Sequence, residues 1–247
     1  MKQRAWCAGV LASFLLGVFV NPAWGQLTEL FKQFSPSVGA LYAQSGNGSL
    51  SFNCTITAVE RTPEYVVLLS AWHCVSKDTA YLVTFDGRQF YPANVWMIPH
   101  EEVDAQKYPR SYGEPKTDMA FFKASLPIHI PVIPLGTDVG VEAGHRILVI
   151  GFPLGITKVR YEGIIAGRLE RPGAETDGYL ILQSFGAPGS SGTAIVNEAT
   201  GRVIAVLVSG QSAGSGLPVI FATPIDYKRY LLEVPRTYGT RVPLKTP

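Results

Sequence analysis

Two adjacent serines, Ser190 and Ser191, lie in the stretch GAPGSSGTAIVN at residues 186–197. The stretch is typical of a Gly/Ser turn between strands, and it also fits a loop that presents one serine as a nucleophile. A serine hydroxyl is a weak nucleophile unless a neighbouring base takes its proton. The chain must therefore supply a base, and the candidates are its four histidines: His73, His100, His129 and His145.

His73 is the histidine best placed to act as a base. It follows the apolar run YVVLLSAW and adjoins Cys74, a candidate disulfide partner that would hold it still. A base that must stay oriented needs such support. His100 and His129 are expected at the surface or in packing, and His145 in a turn. A single histidine at a strand end is more often structural, so the choice depends on the residues that follow it.

The order of these residues along the chain restricts the type of enzyme. Every histidine precedes the two serines, which excludes an α/β-hydrolase because there the serine comes first. Histidine, aspartate, serine is the order of the chymotrypsin-type barrels. Asp118 fits this order, because it lies 45 residues after His73 and 73 residues before Ser191.

Asp118 directly precedes the apolar run MAFFKA. A carboxylate beside a buried strand is costly unless it receives hydrogen bonds, and the ring N–H of a histidine would supply one. Asp86 and Asp104 are the competing acids, but neither precedes a comparable apolar run. We therefore expect Asp118 to be the partner of the histidine.

Three stretches resemble the motifs of trypsin-like serine proteases: LLSAWHCV their histidine motif, TDMAFFK their aspartate motif and GAPGSSGTAIVN their serine motif. VIPLGTD, VEAGHRILVIGFPLG and GRVIAVLVSG are similar to the corresponding stretches of HtrA/DegP-like bacterial members. The resemblance covers most of residues 38–232, and we expect no PDZ module. It implies acyl transfer by a triad of His73, Asp118 and Ser191, with the oxyanion held by the backbone N–H groups of Gly189 and Ser191.

The resemblance also implies where a polypeptide substrate binds. Phe185 occupies the place at the base of the primary pocket, which predicts a preference for small or medium apolar side chains, with Val219 and Phe221 as additional wall. Three consecutive residues are expected to pair with the substrate backbone as an added strand: Ser209, Gly210 and Gln211.

The serine motif departs from the family pattern at three positions. Ser190 stands where animal digestive enzymes have an aspartate that captures a newly cut N-terminus, so no such activation switch is expected. Thr193 replaces a family glycine and Ala194 a common proline.

About a dozen short strand candidates, separated by Gly and Pro, predict an all-β sandwich or barrel. The resemblance implies two six-stranded antiparallel β-barrels of the chymotrypsin type, at about 36–125 and 130–225 of a peptidase domain spanning 26–247. Two short helices are predicted, at 27–35 and at 225–234.

Residues 1–25 have a basic start, a 13-residue apolar run and small residues near the end, which predicts a secretory signal peptide and a secreted or periplasmic protein. An uncleaved anchor is the alternative. Without Lys2 and Arg4 the chain has 19 basic and 19 acidic residues, so neither nucleic acid nor stable membrane association is expected. The sequence leaves the oligomeric state open.

Two cysteines follow the predicted cleavage point, Cys54 and Cys74. In an exported chain they favour a disulfide, and the resemblance to the animal-type enzymes points to the same pair. Two reduced thiols are the alternative if the protein is not exported. The cysteine and histidine spacing fits no zinc site, so no metal and no cofactor are expected.

These observations favour an exported serine endopeptidase. A catalytically weak or inactive binding protein on the same barrels and a serine esterase using the same residues remain the alternatives.

Overall fold

A computed structural model describes residues 22–76, 79–97, 118–169, 178–211 and 219–225. It begins with the helix α1 (Pro22–Phe34), which starts earlier than predicted and leads into a short 3-10 turn at Ser35–Ser37. The predicted signal peptide up to residue 21 and the predicted helix after Ile225 lie outside the described residues. Among the described helices, none has the length and apolar character needed to cross a bilayer.

Six strands close the first barrel, in the order β1-β2-β3-β6-β5-β4 with every neighbouring pair antiparallel. Strand residues alternate in direction, and the inward positions form a continuous apolar core that contains Leu41, Ile56 and Phe122. The strands are β1 (Val38–Gln44), β2 (Leu50–Arg61), β3 (Val66–Ser70), β4 (Ala80–Thr84), β5 (Tyr91–Met97) and β6 (Ala120–Ala124).

Six further strands close the second barrel, in the order β10-β11-β12-β9-β8-β7 and again antiparallel throughout. They are β7 (Arg146–Gly151), β8 (Val159–Leu169), β9 (Tyr179–Gln183), β10 (Ala194–Asn197), β11 (Arg202–Gln211) and β12 (Val219–Pro224). Two closed six-stranded antiparallel barrels confirm the predicted fold class. Closure gives every strand two neighbours over at least part of its length.

Lys158, at the start of β8, ties the second barrel to the first. Its ammonium donates to the carbonyl oxygens of Ser35, at 2.8 Å, and Phe85, at 3.2 Å, while Arg160 donates to the Ser35 hydroxyl at 3.1 Å. Burial, together with the positive charge of Arg160, lowers the pKa of Lys158 from its ordinary value of 10.5 to about 8, although the negative charge of Asp86 partly opposes the decrease. The two barrels are thus joined by a cation that is partly removed from water.

This depressed pKa predicts a stability that rises in alkali. Between about pH 8 and pH 10.5 the folded chain has lost the Lys158 proton while the unfolded chain still holds it. Linkage then makes the free energy of unfolding increase with pH across that window, whereas below about pH 8 this group contributes no pH dependence. Urea denaturation should show this increase in the wild type and lack it in Lys158→Met. Identical pH profiles for the two proteins would contradict the prediction.

Cys54 in β2 and Cys74 in the 3-10 turn after β3 form a disulfide, with a Cα–Cα distance of 6.2 Å. The bridge closes a loop of 20 residues and joins β2 to the turn that contains His73. Asn53 adds a side-chain hydrogen bond to the Cys74 carbonyl at 2.6 Å. The turn that carries the histidine is therefore fixed to a strand by a covalent bond.

The Cys54→Ala/Cys74→Ala double variant should lose about 3 kcal/mol of unfolding free energy, because the unfolded chain regains the entropy of an open loop. Urea denaturation measures the loss. Thiol titration of the chain from Gln26 onward, under denaturing conditions, should detect no free thiol. Two titratable thiols would show that the bridge is absent.

Candidate active site

Strand pairing places His73 beside Asp118. β3 ends at Ser70 and β6 begins at Ala120, and these two residues are antiparallel partners. The turn after β3 and the residues before β6 therefore meet at the same end of the first barrel. His73 Nδ1 lies 2.6 Å from Asp118 Oδ2, and the His73 backbone N–H donates to Asp118 Oδ1 at 2.8 Å. One carboxylate thus holds both the ring and the backbone of His73.

The pair leaves one ring nitrogen free for proton transfer. An ionised carboxylate only accepts hydrogen bonds, so His73 Nδ1 carries the hydrogen and Nε2 keeps its lone pair. The His73 side chain is 41% exposed, whereas that of Asp118 is 16% exposed. The acid is therefore shielded and the base is accessible, as a general base requires.

The serine loop, defined as residues 187–193, has its carbonyl groups held one by one. Ser190 N–H donates to Ala187 O at 2.9 Å, Leu154 N–H to Pro188 O at 2.6 Å, and Thr193 N–H to Ser190 O at 3.1 Å. The Thr55 hydroxyl donates to Gly189 O at 3.0 Å, and Thr55 N–H donates to Ser191 O at 2.9 Å. Five consecutive carbonyls therefore point at fixed donors.

Two N–H groups of the serine loop stay available. Neither Gly189 N–H nor Ser191 N–H donates a hydrogen bond to any described residue, whereas Gly192 N–H donates to Leu207 O at 2.8 Å. In a trans peptide the C=O and N–H point in opposite directions. Fixing the carbonyls of Pro188 and Ser190 therefore fixes where the Gly189 and Ser191 donors point, and an anionic oxygen is the ligand such donors suit.

The two serines have different surroundings. Ser190 is fully buried, and its hydroxyl accepts the Ala187 N–H at 3.2 Å. Ser191 is partly exposed, and its hydroxyl makes no hydrogen bond with a described residue. Burial raises the pKa of Tyr161, and the nearby Ser190 hydroxyl partly offsets the increase. Ser190 thus faces the protein interior, while Ser191 is the serine open to a substrate.

The serine loop lies directly against the end of β3. Gly192 has a φ of +84°, and a Cβ there would overlap the Thr55 carbonyl and the Ser70 hydroxyl and lie 3.0 Å from Ala71 N. Only glycine combines that φ with the absence of a side chain. The missing side chain brings Ser191, the preceding residue, close to the segment that leads into His73.

Thr193 fits its position without backbone strain. It is fully buried, and its φ is not positive, since Leu154 is the only described non-glycine residue with a positive φ. Room for its side chain comes from Gly151, where a Cβ would overlap the Thr193 hydroxyl. Both backbone groups of Thr193 are hydrogen-bonded, since its N–H donates to Ser190 O at 3.1 Å and its carbonyl accepts Leu207 N–H at 2.8 Å. The backbone and the space at this position therefore accept a threonine in place of the family glycine, while its buried hydroxyl has no hydrogen-bond partner among the described residues.

The predicted substrate-pairing residues lie on a strand edge. Gly210 and Gln211 pair with Ile220 and Val219 of β12, after an irregularity between Leu207 and Ser209. On the other side β10 reaches only as far as Val206. Within the described residues the second edge of 209–211 has no strand partner, so an extended peptide could add there. Ser209 is exposed, and no hydrogen bond joins its side chain to Asp118 in the described part of the chain.

Phe185 and Ile220 shape the surface before the serine loop. Phe185 is 52% exposed and packs edge-to-face on Tyr161, with ring centroids 5.5 Å apart. Ile220 carries no motif signal in the sequence, yet its Cδ1 lies 2.7 Å from where a Cβ on Gly186 would be and 3.1 Å from one on Gly210. A branched side chain thus fills the space that a side chain at either glycine would need.

Leu154 and Thr55 are functional candidates that sequence reasoning missed. Leu154 adopts a left-handed φ of 58° and is 60% exposed, and its N–H holds Pro188 O. Nothing in a PLG stretch predicts that strain. Thr55 lies in a run of alternating residues that is typical of any strand, so the sequence gives its hydroxyl no distinguishing signal.

The sulfurs of Cys54 and Cys74 and a ring nitrogen of His73 lie within 4.8 Å of one another. Zinc binds cysteine as the thiolate. Because the two sulfurs are bonded to each other, this group does not offer thiolate ligands in the oxidised protein.

Comparison with known proteins places these observations in a family. A family model described as "Trypsin-like peptidase domain" matches residues 55–206. The structure of the "HtrA-type protease AlgW with tripeptide" is similar over 85% of this chain and 62% of its own, with a TM-score of 0.62 and 22% identity. The structure of the same protease "with decapeptide" covers 84% and 66%, with a TM-score of 0.63 and 20% identity. This chain thus spans less than two thirds of those chains, and the likeness at these identities concerns the fold.

The contact at Gly192 predicts a large effect of one methyl group. Gly48 has nearly the same φ, +83°, but open space around it. Gly48→Ala should therefore lose only the left-handed backbone penalty, about 1 kcal/mol. Gly192→Ala should lose at least twice as much, because its Cβ would also overlap the Thr55 carbonyl on β2 and the Ser70 hydroxyl at the end of β3. Urea denaturation of both variants checks this, and equal losses would contradict the close approach.

Proposed function

Because this chain belongs to the trypsin-like peptidase family, we propose that it is an exported serine endopeptidase that cleaves polypeptides through an acyl-enzyme. The observation that carries the proposal is the serine loop. Each of its carbonyls from Ala187 to Ser191 accepts a hydrogen bond, whereas the N–H groups of Gly189 and Ser191 donate to no described residue. This loop adjoins a hydrogen-bonded His–Asp pair.

The reaction proceeds in two steps, acylation and then deacylation of Ser191. His73 Nε2 takes the Ser191 hydroxyl proton as Oγ bonds to the scissile carbonyl carbon, and the proton then passes to the leaving amine as the C–N bond breaks. Water then attacks the acyl-enzyme while His73 takes one of its protons. The water oxygen stays in the new carboxylate, and His73 returns the proton to Ser191 Oγ as the ester bond breaks. Asp118 holds the imidazole in the required tautomer and stabilises the imidazolium.

The Gly189 and Ser191 N–H groups stabilise the oxyanion of each tetrahedral intermediate. Losing one such donor typically costs about 10²–10³ in rate. That magnitude explains why five neighbouring carbonyls are fixed: each fixed carbonyl limits rotation of a peptide that carries, or adjoins, an oxyanion donor.

The substrate binds as an extended strand along Ser209–Gln211, whose second edge is open among the described residues. The related AlgW structures contain a tripeptide and a decapeptide, which agrees with a peptide ligand. The side chain before the scissile bond is small or medium-sized and apolar, since Phe185 occupies the place at the base of the primary pocket and Ile220 fills the space beside Gly186 and Gly210.

Export is part of the proposal. Residues 1–25 combine Lys2 and Arg4 with an apolar run and small residues, as a signal peptide does. The Cys54–Cys74 disulfide fits an oxidising compartment.

Incubation with a fluorophosphonate probe and with casein tests the activity. We expect labelling and cleavage by the wild type, loss of both in Ser191→Ala, and labelling retained in Ser190→Ala, since that hydroxyl is buried. Labelling lost in Ser190→Ala but kept in Ser191→Ala would overturn the assignment of the nucleophile. Labelling of the wild type without casein cleavage, but with hydrolysis of a p-nitrophenyl ester, would indicate an esterase. A wild type that reacts with none of these would indicate a binding protein.

A further inference from the structure

We propose that Thr55 is a positioning residue for the oxyanion donors, acting through its hydroxyl. It touches no reacting atom. It holds the serine loop of the second barrel from a strand of the first barrel. This inference rests on the proposed function.

Each polar group of Thr55 contacts a different segment. Its N–H donates to Ser191 O at 2.9 Å, and its carbonyl accepts the Ser70 hydroxyl at 2.7 Å. Its hydroxyl accepts Phe152 N–H at 2.9 Å and donates to Gly189 O at 3.0 Å. Thr55 is fully buried, so water does not compete for these bonds.

The direction of the hydroxyl bond is fixed by its partners. Phe152 N–H can only donate, so the Thr55 oxygen accepts there and its single hydrogen is left for Gly189 O. The hydroxyl therefore connects the end of β7 to the serine loop. No apolar side chain of the same shape could make either bond.

Gly189 needs this restraint more than its neighbours do. It has a φ of +89° and no side chain, so it resists rotation less than any other residue type. Leu154 N–H holds the peptide before it, through Pro188 O, and the Thr55 hydroxyl holds the peptide after it. With the Thr55 bond removed, the Gly189–Ser190 peptide is held only by Ser190 N–H to Ala187 O. This peptide lies between the two peptides that carry the Gly189 and Ser191 N–H donors, so both donors lose part of their support.

Thr57 provides a matched control. It lies on β2 two residues after Thr55, in the same register with β1, and is also fully buried. Its hydroxyl has no hydrogen-bond partner among the described residues. A threonine-to-valine change there removes the same atoms from the same strand without releasing the serine loop.

The test compares Thr55→Val, Thr55→Ser and Thr57→Val with the wild type. For the fluorophosphonate probe, the maximal labelling rate should fall about tenfold or more in Thr55→Val, because a misdirected oxyanion donor loses part of the 10²–10³ that it supplies. The probe concentration that gives half the maximal rate should stay unchanged. Thr55→Ser, which keeps the hydroxyl, should recover most of the rate, and Thr57→Val should match the wild type. The pH midpoint of labelling should not move, since the His73–Asp118 pair is untouched.

Amide hydrogen exchange gives a second readout that does not need activity. Thr55→Val should speed exchange in residues 186–193, and neither Thr55→Ser nor Thr57→Val should do so. Wild-type labelling speed in Thr55→Val, failure of Thr55→Ser to recover, an equal loss in Thr57→Val, or unchanged exchange in Thr55→Val would each overturn the proposal. A wild type that is not labelled at all would reject the proposed function instead, while exchange would still decide whether Thr55 holds the loop.

Discussion

The close contact between the serine loop and the first barrel is the constraint on which the rest of the site depends. Gly192 approaches Thr55 and Ser70 so closely that no Cβ fits, and the gap is bridged by hydrogen bonds from Thr55 to Gly189 and Ser191. The contact thereby brings the proposed nucleophile, Ser191, towards the segment of the first barrel that leads into the proposed base, His73. Because the serine loop is held to the first barrel by backbone groups and the Thr55 hydroxyl, its geometry depends on few side chains.

Strand pairing and hydrogen bonds together position His73. β3 and β6 are antiparallel partners, so the residue after one strand and the residue before the other meet without any long connection. Asp118 then makes two hydrogen bonds to His73 from a shielded position. A buried carboxylate costs free energy unless its oxygens accept hydrogen bonds. Here the hydrogen bonds that meet this need also orient His73. The Cys54–Cys74 bridge fixes Cys74, the residue after His73, to β2, the strand that also contains Thr55.

Much of this arrangement was accessible from the sequence, because local patterns report local structure. Strand alternation and the Gly and Pro breaks predicted an all-β fold, and the resemblance then identified two barrels, as the structure confirms. His73, Asp118 and Ser191 were singled out by type, order and flanking apolar runs. Thr55, Leu154 and Ile220 were not, since each is an ordinary residue in an ordinary run. Their importance comes from contacts across 134 residues for Thr55 to Gly189, and for Ile220 from contacts with Gly210 on one neighbouring strand and with Gly186 after the other.

The sequence by itself determined the residue types that can do chemistry, their order along the chain and the periodicity that makes strands. It also placed glycine at 189 and 192, where the backbone has to turn. Only the tertiary structure decided which carbonyls of the serine loop are held, and therefore which of its N–H groups donate to no described residue. It likewise decided that Thr193 is unstrained, because the space it needs is left by Gly151 on a neighbouring strand. The physical reason is that hydrogen-bond direction and steric room depend on atoms brought together from distant parts of the chain, which no local pattern encodes.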